Sequence, residues 1–426
     1  MGAPTGPRNR TGRRRSALLC GVAAAAILAV ACETPPAPPT TAPPRAVRQA
    51  PATPDCRPET GGGSSNAADF EPLEGDELGL TAFGAAVEAL GGTGRVDITT
   101  DVDGRPEFQS VSVDQLGVSL DAEADPVISV EPSRRVNATA GDPLAPQQWS
   151  DELTPYTPTW VCGRGTGVDI AVVDTGVDRT HPDLAGRTTT GGSSLGSAAQ
   201  VTEGSGGVDP HGHGTHVAGI AAATADNGIG IRGVAPEARI MPLRVLDSSG
   251  SGWNADVAAG ITWAVDHGAE VINLSLGNTQ QSQAVTNAIT YADAAGVVVV
   301  AAAGNGGAGA LPHYPAADNR TVAVASVDPD GSLSDFSTTG SYVDVAAPGR
   351  SILSTVPGGG YSYMSGTSMA APFASGVAAL LIANRGSISP EQVLQRFTST
   401  ATDAGPAGSD DGYGHGIIDP VAVLSS

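Results

Sequence analysis

VDIAVVD (168–174), VINLSLG (271–277), VVVVAAAG (297–304) and TVAVASV (321–327) decide the fold. Each is a near-continuous run of β-branched and small apolar residues bounded by Gly, Asp or Asn. A strand with one wet face alternates apolar and polar residues; a continuous run is what a strand covered on both faces requires. Between the runs lie HVAGIAAAT (216–224), NADVAAGITWAVDHG (254–268) and QAVTNAITYADAAG (283–296), each helical in period or composition. Strand and helix in alternation predict an α/β fold, a doubly wound, mostly parallel sheet flanked by helices and joined by right-handed crossovers. In such sheets reactive side chains gather at the carboxyl ends of the strands.

Four residues stand at such places. Asp174 ends the first run, Asn305 follows VVVVAAAG, His213 precedes a helix in HGHGTHVAGIAAA, and Ser368 opens another in SGTSMAAPFASGVAALL. Hydrolysis of a peptide bond by acyl transfer needs a nucleophilic hydroxyl, a base for its proton, a carboxylate to orient the base, and donors for the oxyanion. Ser368, His213, Asp174 and Asn305 supply one of each, and the Ser368 N–H at a helix amino terminus is a second oxyanion donor. Singly, Asp174 reads equally as a structural residue, and a Ser in a Gly/Ser-rich turn favours a bland reading; their joint occurrence decides. His211, His213 and His216 invite a zinc site, but zinc explains none of Asp174, Asn305 and Ser368.

The blocks DTGVDRTHPDL, HGHGTHVAGIAAA, VINLSLG, AAAGN and SGTSMAAPFASG, in this order over roughly 165–420, resemble those of the subtilisin-like serine proteases. The order Asp, His, Ser is the one known for subtilisin. The resemblance implies that Ser275-Leu276-Gly277 and Ser249-Gly250-Ser251-Gly252 form two strands that sandwich an extended protein or peptide substrate. It implies that Ala302-Ala303-Gly304 line one wall of an open, apolar primary pocket. It also implies a structural Ca²⁺ held by Asp183, Asn227 and the carbonyls of Ala225, Ile229 and Ile231, hard donors on a Gly-containing loop. Gln147 or Gln148 is the candidate for the ligand nearest the mature amino terminus. The other reading of that loop is a turn held by hydrogen bonds alone.

The 426 residues carry 22 basic side chains, all Arg, against 44 acidic ones, a formal charge of −22. A polyanion is repelled by such a chain, which excludes nucleic acid as a partner. The absence of Lys excludes a Ser–Lys mechanism. The balance is +5 over 1–65, −12 over 66–146 and −15 over 147–426, as expected of an export signal ahead of an exported protein.

Five Arg between Arg8 and Arg15 precede an uncharged run of 17 residues, Ser16 to Cys32. That is short of the roughly 20 residues that span a bilayer and reads as a signal peptide. Its end, Leu28-Ala29-Val30-Ala31-Cys32, resembles a bacterial lipobox with Ala29 a less usual residue there, making Cys32 the lipidation candidate and 1–32 the address. Ordinary cleavage and an uncleaved anchor are the other readings. Residues 33–65 are a Pro/Thr/Gly-rich linker. With Cys20 and Cys32 so assigned, Cys56 and Cys162 remain, a candidate disulfide or two free thiols.

Residues 66–146 mix helix-like stretches (82–90 and 115–123) with strands around a turn at Gly104 and a strand in PVISVEP, a small α+β domain. Position, and PVISVEPSRRV, resemble the inhibitor-like propeptides of the same family. This implies an intramolecular inhibitor removed by self-cleavage within 137–148, leaving a catalytic domain at 147–426. The expectation is an exported, monomeric, self-processing serine endopeptidase, at the cell surface as a lipoprotein or secreted. The rival is a catalytically silent surface protein that uses the fold for binding.

Overall fold

The computed structural model describes residues 2, 95–102, 105–112, 127–132, 141–196 and 200–425. The address, the linker, Cys32, Cys56 and the helices expected at 82–90 and 115–123 lie outside the described residues. Strands β1 (Arg95–Val102), β2 (Arg105–Ser112) and β3 (Val127–Pro132) form an antiparallel sheet in the order β2-β1-β3. Val102 pairs with Arg105, and the turn expected at Gly104 lies outside the described residues.

The larger sheet has eight strands: β4 (Asp169–Asp174), β5 (Gly192–Ser193), β6 (Thr202–Glu203), β7 (Arg239–Arg244), β8 (Val271–Leu274), β9 (Val298–Ala302), β10 (Thr321–Val327) and β11 (Val345–Pro348). Their order is β11-β10-β9-β8-β4-β7-β5-β6, parallel except for β5–β6. The chain steps from β4 to β7 on one side, then returns to β8 on the other, which opens a crevice at the carboxyl end of β4.

The absence of alternation in β4 has its physical counterpart. Ile170 and Val172 enter one core with helices α1 (His213–Ala222) and α4 (Thr367–Arg385), while Ala171 and Val173 enter another with α2 (Asn254–Asp266) and α3 (Gln283–Ala294). Apolar residues on both faces are required because both are covered. α4 has the length and hydropathy of a membrane span, yet most of it is buried in the first core. It is a core helix.

β7, RIMPLR, has no counterpart in the reading above, because Pro242 argues against an interior strand. The structure accommodates it where β7 meets Gly191. That Gly has φ +61°, and a Cβ on it would lie 2.7 Å from the Pro242 ring. The antiparallel pair β12 (Ile352–Val356) and β13 (Gly360–Met364) completes the fold beside α1.

Candidate active site

Asp174 is the last residue of β4 and is fully buried; His213 is the first of α1. His213 Nδ1 lies 2.8 Å from Asp174 Oδ1 and 3.0 Å from Oδ2. A carboxylate only accepts, so Nδ1 carries the proton and Nε2 is left to act as a base. Burial works against the imidazolium, but the Asp174 carboxylate, with Asp209 behind it, outweighs that and raises the His213 pKa.

Ser368 is the second residue of α4. Pro372, four residues on, has no N–H, so the Ser368 carbonyl lacks its helical donor. Ser275 Oγ supplies one instead at 2.8 Å, and is itself held by Asn273 Nδ2 at 2.9 Å. The nucleophile's backbone is thereby pinned to the end of β8. Its hydroxyl donates to the Ser275 carbonyl at 3.3 Å, a long contact of the kind that reorganises when substrate binds.

Asn305 follows β9. Its Oδ1 accepts from Thr367 N at 2.9 Å and Thr367 Oγ1 at 3.0 Å, and that hydroxyl accepts from Gly304 N at 3.1 Å. Anchoring the oxygen leaves Nδ2 as the outward donor. A Cβ built on Gly366 would stand 3.3 Å from Asn305 Nδ2 and 3.6 Å from Ser368 N, so the two expected oxyanion donors flank one spot.

His213, Ser368 and Asn305 share a cleft of about 520 Å³. Ser249, Gly250, Ser251 and Gly252 line it, and so do Ser275, Leu276 and Gly277. Neither stretch belongs to a strand: Ser249 and Gly250 lie in a turn closed by Gly250 N on the Asp247 carbonyl at 3.0 Å and Asp247 N on the Ser251 carbonyl at 2.7 Å, and 275–277 follow β8 directly.

The primary pocket departs from the expectation. Ala302, Ala303 and Gly304 are buried and do not line the cleft. His313 covers them. Its Nδ1 lies 3.3 Å from the Ala302 carbonyl. A Cβ on Gly304 would come within 2.9 Å of the ring and one on Gly277 within 2.6 Å, so only Gly at both places admits the imidazole. The His313 side chain therefore stands between these small residues and the cleft. Burial lowers the His313 pKa.

The three neighbouring His do not converge. His216 is buried with Nε2 3.0 Å from the Ser362 carbonyl, and burial pushes its pKa down to about 4. His211 is exposed at the mouth of the cleft.

On the expected calcium loop, Asp183 is buried and accepts from Asn227 Nδ2, Ile231 N and Tyr361 Oη. The Asn227 oxygen accepts from Ile229 N. Gln148 is committed elsewhere, bridging both backbone groups of Arg232, and Gln147 accepts from Tyr363. The carboxylate that reaches the loop from upstream is Asp142, buried and accepting from Asp226 N and Asn227 N. Neither Asp142 nor Asp183 has a cationic partner among the described residues. Both charges raise the pKa of the Tyr361 hydroxyl, after burial as its main cause.

The profile of the subtilase family matches residues 165–416, more than half of the chain. The chain belongs to the subtilase family. It is 48% identical over 270 residues to thermitase of Thermoactinomyces vulgaris, covering 62% of this chain and 94% of that protein. It is 36% identical over 355 residues to subtilisin E of Bacillus subtilis, covering 81% of this chain and 89% of that one. Among solved structures, a protease from Pseudoalteromonas arctica superposes with a TM-score of 0.61 at 33% identity, covering 68% of this chain and 99% of its own. This subtilase is a serine endopeptidase acting on proteins or peptides, and the fold expected from the apolar runs is the one found.

Proposed function

We propose that this subtilase is an exported enzyme, made as a zymogen that processes itself. The observation that carries the chemistry is the joint placement of His213 on Asp174 and of two donors beside Ser368. Ser368 Oγ attacks the scissile carbonyl, His213 Nε2 takes its proton and returns it to the leaving amine, and Asp174 holds the tautomer. Asn305 Nδ2 and Ser368 N–H receive the oxyanion. The export reading rests on the basic amino terminus, the apolar run and Cys32, as a surface lipoprotein or a secreted protein. The test is expression without residues 1–32: the parent shortens itself and Ser368→Ala does not. Equal processing of both overturns self-cleavage.

The match to subtilisin E covers a span that must begin before β1, which supports a propeptide at 66–146. Asp142 and Leu144 are already bonded to the 226–230 loop, Leu144 N to Gly230 O at 2.8 Å. This favours cleavage within 137–141, upstream of the 147 boundary drawn from sequence. Amino-terminal sequencing of the processed enzyme locates the cut.

A buried carboxylate pair without a counter-ion fits a hard cation. Asp142, Asp183 and Asn227, with the loop carbonyls, would hold Ca²⁺, which supplies the missing positive charge. Chelation should lower the melting midpoint by about 5–10 °C if the loss is about 2.7 kcal/mol. An unchanged midpoint removes calcium from the account.

His313 closing the primary pocket predicts discrimination against large aromatic side chains. His313→Gly should raise kcat/KM for Phe relative to Ala at that substrate position by about 10-fold, the worth of roughly 1–3 kcal/mol of pocket contact. An unchanged ratio places the pocket elsewhere.

Cys162 is disulfide-bonded. Paired with Cys56, it would keep the catalytic domain attached to its amino-terminal segment after cleavage. The processed protein then runs as one band without reductant and two with it; two bands in both refute the pairing.

A further inference from the structure

Asp209 is not among the groups that attack, take the proton, orient the base or receive the oxyanion above. It stands in the loop before α1, is buried, and has no cationic partner among the described residues. Its charge is met by five hydrogen bonds instead. Oδ1 accepts from Thr175 Oγ1 at 2.8 Å, His211 N at 3.1 Å and Gly212 N at 2.8 Å. Oδ2 accepts from Thr215 N at 2.8 Å and Thr215 Oγ1 at 2.6 Å. A buried carboxylate without a counter-ion is costly unless its lone pairs are filled, and here they are.

The donors come from both sides of the catalytic pair. Thr175 adjoins Asp174 at the end of β4; Gly212 and Thr215 bracket His213 at the start of α1. Thr175 Oγ1 also accepts from Gly214 N at 3.0 Å, closing a second link across the same gap. The strand end that carries Asp174 and the helix start that carries His213 are thus braced through one carboxylate.

We propose that Asp209 is a positioning residue of the reaction, holding His213 against Asp174 and favouring with its charge the imidazolium formed when Ser368 gives up its proton. The proposal rests on the serine-protease reading of this site. The groups that bear on His213 are few. Asp174 faces it from β4 and Asp209 from the loop, His216 lies one turn along α1, and the His211 ring is 6.2 Å away. Only the two carboxylates raise its proton affinity.

The test is Asp209→Asn and Thr175→Val, each counted by fluorophosphonate titration so that rates refer to active sites alone. Asp209→Asn keeps the shape but removes the charge and turns one acceptor into a donor among donors. It should lower kcat per site by about 10-fold or more, the cost of a small misplacement, with KM within about 2-fold. The acidic limb of kcat/KM, which reports His213 in the free enzyme, should move to lower pH. Thr175→Val keeps the charge and cuts the brace, so kcat per site should fall with the limb unmoved. A purely structural Asp209 lowers the number of titratable sites but leaves per-site kcat and the limb at parental values, and that result overturns the proposal. If Asp209→Asn does not fold, Thr175→Val decides: an unchanged per-site kcat overturns the brace, and a reduced one supports it. A parent that neither labels nor hydrolyses peptide fails the catalytic reading instead, a separate outcome.

Discussion

Ser368→Ala lowers kcat by about 10⁶-fold, the size known for loss of the nucleophile in subtilisin rather than one obtained from this geometry. The structure says why the fold survives the change. Ser368 is held by its backbone: its carbonyl accepts from Ser275 Oγ, and its N–H lies in the first turn of α4. The hydroxyl contributes only the 3.3 Å contact to the Ser275 carbonyl. Its removal costs little stability, so the lost activity is a chemical loss. Turnover of a peptide amide, with the melting midpoint measured alongside, separates the two. A loss below about 10³ would mean that another group attacks the carbonyl, since the site without its nucleophile retains only the residual 10³–10⁴ over water.

Asn305→Ala should lower kcat by about 10²–10³ with KM little changed, again the size known for this donor in subtilisin. Asn305 Oδ1 is fixed twice by Thr367, so Nδ2 faces outward, beside the Ser368 N–H. It meets an oxygen that carries charge only in the transition state, which places the loss in kcat. Asn305→Asp separates the roles, because Asp keeps the acceptor that Thr367 uses and loses the donor. A loss in the Asp variant at least as large as in the Ala variant is expected, because the carboxylate also repels the oxyanion. Near-parental turnover in Asp would show that anchoring of Thr367 is the whole contribution of Asn305.

The central strands, and the strand ends that carry candidate site residues, were legible in the sequence for one physical reason: their signal is local. β4, β8, β9 and β10 are buried on both faces, so each reads as an apolar run, and Asp174 and Asn305 stand where runs end. β7 was not legible because Pro242 contradicts its own strand, and the compensation, Gly191, is distant in sequence. Asp142 and Asp209 carry no periodicity and acquire meaning only from donors elsewhere, at Asp226 and Asn227 for one and at Thr175 for the other. His313 was missed for a related reason. Ala302-Ala303-Gly304 promised an open wall, and the residue that fills it arrives from a loop after Asn305, admitted by the two Gly it touches. Sequence located what the strands carry to their ends and left unread what loops bring back to them.

The most direct test of the account is covalent labelling of the processed enzyme with a fluorophosphonate, followed by peptide mass mapping. One adduct per molecule is predicted, on Ser368, and it should vanish in His213→Ala because the hydroxyl then has no base. A folded, processed protein that takes no label, or takes it on a residue other than Ser368, would contradict the assignment of Ser368 as the nucleophile.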